Sequence, residues 1–168
     1  MKKENKILDF FITTLNGMAY GLFATLIIGT IIGSIGGLFP DTEFNNILKQ
    51  TSSLLSNLTG AGIGIGVALA LKADSLKTIV LASVGEISSY FSLTTKFVND
   101  GTITNSMKIG DPLTIYLVVI ITALLLKLIF QKKTPVDILL VPLCGISLGL
   151  IFSLLVRYPT IYVTYGIQ

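Results

Sequence analysis

Histidine is absent from this chain, cysteine occurs once, and charged residues make up only 12% of it. The soluble norm for charge is about 25%. Without imidazole, histidine phosphotransfer, Ser-His-Asp catalysis and histidine metal sites are all excluded within this polypeptide. No enzymatic activity, metal or cofactor is therefore expected of it. Cys144 lies in an apolar run, so no disulfide or CxxC pair can form within one chain, and it reads as a small core residue. The formal net charge is +3, but the lysines are scattered between apolar runs. No basic stripe exists to follow a phosphate backbone, and no nucleic-acid partner is expected. The start, "MKKENKILDFF", opens like a signal peptide. The apolar run behind it is too long and ends in "GGLFPD" without a small-x-small cleavage site, which predicts a retained span.

What the chain has in abundance is apolar surface and glycine. It is 52% hydrophobic with a mean hydropathy of +0.82, more than a soluble domain of this length can hide. The expected fold is all-α, a polytopic helical membrane protein whose main partner is the lipid bilayer. In "GMAYGLFATLIIGTIIGSIGG", Gly17, Gly21, Thr25, Gly29, Gly33 and Gly37 recur at a spacing of four. An interior glycine costs a soluble helix about 0.8–1.0 kcal/mol against alanine. In lipid the backbone cannot escape to solvent, and small residues let a second helix approach closely. The five glycines at 17, 21, 29, 33 and 37 are thus expected to form a helix-packing face.

About five spans are expected in one membrane domain covering 1–168, at about 15–39, 52–71, 77–93, 112–130 and 136–156. Residues 1–14 are expected to be cytoplasmic or interfacial, with Ile7, Leu8, Phe10, Phe11 and Leu15 forming an apolar set. The second or third span could be a shorter, broken or re-entrant segment. Five crossings put Lys2, Lys3, Lys6, Lys72, Lys77, Lys132 and Lys133 on one side, against Lys49, Lys96, Lys108 and Arg157. The positive-inside rule then gives a multi-pass cell-membrane protein with a cytoplasmic N-terminus and an extracytoplasmic C-terminus. The longest connection, 94–111, carries turn chemistry, with "NDG" as its tightest point.

Six residues are candidates for contact with a small polar solute. Gly62, Gly64 and Gly66 belong to "TGAGIGIGVALALKAD". That run reads either as an unwound segment offering backbone amides or as a close packing face. Glu86 is a carboxylate within an expected span, which by default suggests a solute or proton pathway. Ser83, Ser88, Ser89 and Tyr90 are its polar neighbours. Asp111, before Pro112, reads as a helix cap. Asp137 suits the positive end of the last helix, and Pro142 behind it suggests a bend.

Four stretches, "LNGMAYGLFATLIIGTIIGSIG", "GAGIGIGVALALKA", "GDPLTIYL" and "KKTPVDILLVPL", follow one another along nearly the whole chain. Together they resemble the membrane-embedded IIC-type proteins of bacterial phosphotransferase systems. The nearest branch is the one also described as toxin-regulator membrane proteins, after a perfringolysin regulator. The resemblance implies a permease-like subunit that binds and translocates a sugar or other small polar solute. Phosphotransfer would rest with separate soluble subunits of the system. Family members are longer, and the resemblance implies that the chain corresponds to an N-terminal half, with a second half or a second copy as the expected partner. The glycine run, Asp111 and Asp137 fall where the motifs agree. Glu86 stands where the family is expected to carry a small or apolar residue. The competing expectation is a membrane regulator or assembly partner that acts through helix contacts and transports nothing.

Overall fold

The computed structural model describes residues 6–40, 42–91, 96–97, 103–104, 111–131 and 134–165. Six helices and one minimal β-pair make up this part of the chain. Helix α1 (Lys6–Gly36) contains a π-helical turn at Phe23–Ile27. It is followed by α2 (Glu43–Asn57), α3 (Thr59–Ala70) and α4 (Ser75–Phe91). Strands β1 (Lys96–Phe97) and β2 (Ile103–Thr104) pair antiparallel, Lys96 opposite Thr104. Helices α5 (Pro112–Ile129) and α6 (Asp137–Tyr165) complete the order. The "NDG" turn lies between the two strands, outside the described residues.

Among the described residues, three helices are long and apolar enough to cross a membrane: α1, α5 and Asp137–Val156 of α6. A fourth crossing arises if α2 and α3, bent by 49° at their junction, count as one span. Helix α4 has 17 residues, about 25 Å, slightly short of a hydrocarbon core of about 30 Å. The apolar set before the first span does not form an element of its own. Residues from Lys6 onward are helical and run without a break into the first span, because neither proline nor glycine interrupts them before Gly17.

The helices pack through small residues. On α1, Gly17 lies against Gly66 and Ala70, and Gly21 against Gly62 and Ile63 of α3. Further along, Gly29 faces Ser52, Leu55 and Ser56 of α2, and Gly33 faces Ser52. The rising numbers on α1 meet falling numbers on α2 and α3, so the bent pair runs antiparallel to α1. In a regular α-helix a spacing of four drifts around the axis by about 40° per step. The π turn, closing at i+5, offsets part of that drift at mid-helix and keeps both halves of the stripe on the α2–α3 side. The last member departs from expectation. Gly37 lies past the helix end and would meet only carbonyls of its own turn, whereas Gly36 packs on Leu48 and Asn45.

Helix α4 lies antiparallel to α3, with Gly60 on Gly85 and Gly64 on Leu81. Its other side meets α6, where Val80 fills the space over Gly145 and Val84 that over Gly149. The core lies between α3, α4, α5 and α6 and includes Ile63, Val67, Leu81, Val84, Ile115, Val119 and Leu126. Thr14 of α1 and Tyr116 of α5 place their buried hydroxyls 2.9 Å apart. The start of α1, the α3–α4 turn, the end of α5 and the start of α6 share one end of the bundle.

A candidate solute site at the broken helix

Two irregularities face one another across the α1/α2–α3 hairpin. One is the π turn of α1, and the other is the break at Leu58. Thr25 in the π turn donates its hydroxyl to Gly21 O at 2.8 Å, and its Oγ1 lies 3.4 Å from Thr59 Oγ1. Thr59, the first residue of α3, turns its hydroxyl back to Ser56 O at 2.7 Å. It thus satisfies a carbonyl at the end of α2.

The start of α3 is the opposite case. A helix begins with backbone N–H groups that have no partner within it, and the preceding side chain usually caps them. Here that residue is Leu58, which has no acceptor and makes no side-chain cap. Glu86 supplies the acceptor from α4: its Oε2 takes the N–H of Ala61 at 3.0 Å. The carboxylate is partly buried, about 16 Å along α4 from its start. A half-helix with its positive end toward a carboxylate, inside an apolar bundle, is the local chemistry that the interrupted sequence creates.

The predicted site residues do not converge on one place. The glycines at 62 and 66 lie against α1, and Gly64 lies against α4. The run is helical throughout, and the interruption stands just before it, at Leu58. Asp111 caps α5, taking Thr114 N at 3.1 Å and Thr114 Oγ1 at 2.9 Å. Asp137 reaches back to Thr134 N at 2.9 Å and also accepts the Thr134 hydroxyl, closing the turn that leads into α6. About 27 Å of α5 separates the ends at which Asp111 and Asp137 sit. Helix α6 runs through Pro142 without interruption.

Of the polar neighbours of Glu86, Ser83 back-bonds to Ile79 O. Ser88 is turned to the opposite face of α4 and is fully buried. Its Oγ, like Thr122 Oγ1 of α5, has no partner among the described residues. Sequence reading missed Thr25, Thr59 and the Ala61 amide. The expectation that the second span could be broken is the nearest sign of the interruption in the sequence.

Apolar helices packed through glycine, one of them interrupted at a carboxylate, define a polytopic helical membrane protein. The family model for the phosphotransferase-system EIIC protein matches residues 12–167. The chain belongs to that family, and is accordingly a membrane-embedded, permease-like component of sugar transport that works with the soluble phosphotransferase proteins and a substrate. Nothing matches among curated proteins or solved structures.

Proposed function

We propose that this chain binds a sugar, or another small polar solute, at the Leu58 break and carries it across the membrane by movement at that break. The observation that supports this is the Glu86 carboxylate held on the Ala61 amide at the start of a broken helix. A carboxylate accepts sugar hydroxyls, and an uncapped helix start donates to them. A solute hydroxyl and the Ala61 amide can therefore exchange places on Glu86, and Thr25 and Thr59 add hydroxyls at the same level. The angle between α2 and α3 then changes around Leu58, as discontinuous helices do in transporters. In this reading Gly62, Gly64 and Gly66 hold α3 against its neighbours, and Asp111 and Asp137 secure the ends of α5 and α6.

In the same reading the chain makes five crossings, with α2–α3 as the second and α4 as the third. Helix α4 is short, but it packs between α3, the second half of the bent pair, and α6, a candidate crossing. The N-terminus is then cytoplasmic, and a second copy or a second permease half completes the path. Solute binding to the purified protein is the test. Glu86→Gln is expected to weaken binding at least tenfold while the protein stays monodisperse. Asp111→Asn should leave affinity unchanged and lower only stability. Equal affinity in wild type and Glu86→Gln would remove this site.

A further inference from the structure

At the end of the bundle that carries the α3–α4 turn lies a cleft of about 520 Å³ that the transport reading does not use. Its apolar lining includes Phe10 of α1, Leu71 after α3 and Leu124 of α5. Its charged lining residues are Lys72, Lys77 and Lys127, with Asp74 as the acid. Asp74 is committed to Lys77: its carboxylate lies 3.4 Å from Lys77 Nζ and caps Lys77 N at 3.0 Å. Lys77 Nζ also donates to Phe130 O at 3.2 Å. Lys72 and Lys127 are exposed and unpaired with any carboxylate among the described residues.

Lys72 adds an independent observation. It sits at φ 53, the only positive φ outside glycine among the described residues. The turn is a Schellman closure, with Lys72 N on Leu69 O at 3.0 Å and Ala73 N on Ala68 O at 2.9 Å. Glycine adopts that conformation without strain, and an L side chain does so at a cost. A lysine kept there, with its side chain lining the cleft, points to a task for the ammonium group.

We infer that this cleft binds an anionic phospholipid, with its phosphate between Lys72 and Lys127 and an acyl chain against Phe10 and Leu124. A free phosphate would use the lysines and leave the apolar lining residues uncovered. A lipid uses both, and the cleft stands at the helix ends, where headgroups meet acyl chains. The site is separate from Glu86 and does not depend on the solute reading.

Phosphatidylglycerol and phosphatidylcholine are titrated into the detergent-purified chain, with retained lipid counted by native mass spectrometry. Preferential retention of phosphatidylglycerol is expected. Affinity should fall about fivefold for each lysine charge removed, and about twenty-five-fold in Lys72→Gly/Lys127→Gln. Lys72→Gly keeps the turn in a conformation glycine favours, so loss of fold is not the anticipated cause. Should the double variant fail to purify, the fivefold loss is read from Lys127→Gln alone. Equal retention of the two lipids, undiminished affinity in the variants, or displacement by millimolar inorganic phosphate would each overturn the assignment.

Discussion

At the scale of single residues, a left-handed lysine and a stripe of glycines make opposite demands on the backbone. Lys72 pays for its positive φ, so Lys72→Gly should raise the unfolding free energy in detergent by about 1 kcal/mol. A fall in stability would mean that the lysine side chain contributes more than the turn loses. Gly66 is the reverse: a Cβ there would collide with the carbonyl of Gly17. Gly66→Ala should therefore cost about 1–3 kcal/mol, as overpacking does. Gly37→Ala, whose nearest neighbour would be Ser34 O at 3.4 Å, should stay within about 0.5 kcal/mol of wild type. Thermal unfolding of the pair in one detergent separates them. The spacing of four picks out Gly17, Gly21, Gly29 and Gly33, which lie against α3 or α2. It misjudged Gly37 because spacing alone does not locate the helix end. The partner of Glu86 was not legible at all, since Ala61 is 25 residues away and contributes only a backbone amide.

At the scale of elements, the π turn is what lets one straight-looking apolar run serve two partners. The front half of α1 packs on α3 and the back half on α2, although α2 and α3 differ in direction by 49°. Deleting Ala24 would restore a regular α-helix and rotate the second half by about 100°, taking Gly29 and Gly33 off α2. Gly33→Cys with Ser52→Cys, in a Cys144→Ser background, should cross-link readily, because the two Cβ positions come within 3.2 Å. The same pair with Ala24 deleted should lose the cross-link; equal yields would show that the π turn does not set the phase. Hydropathy revealed the existence of α1, α5 and α6 because each is a long run of apolar residues. It blurred α2, whose polar residues mix with apolar ones, and it gave only a coarse sign of the break. No local cap marks the start of α3, since the acceptor comes from another helix.

At the scale of the whole molecule, the arrangement of charge follows from the count of turns. Treating α2 and α3 as one descending unit brings Lys6, the Lys72–Lys77 turn and the connection after α5 to the same end. An expected count of five crossings groups the same lysines on one side, and the positive-inside rule then turns that side to the cytoplasm. The 38–42 connection then lies at the far end, beyond an α1 that is about 46 Å long. Single cysteines test this directly in a Cys144→Ser background. Ser75→Cys and Gln131→Cys should react with a membrane-impermeant maleimide from the same face of a sealed vesicle, and Leu38→Cys only from the other. If Ser75→Cys and Gln131→Cys react from opposite faces, α4 and α5 do not form a returning pair. If instead Ser75→Cys and Leu38→Cys react from the same face, the bent α2–α3 unit is a re-entrant loop, and the Leu58 break beside Glu86 opens to one side of the membrane only.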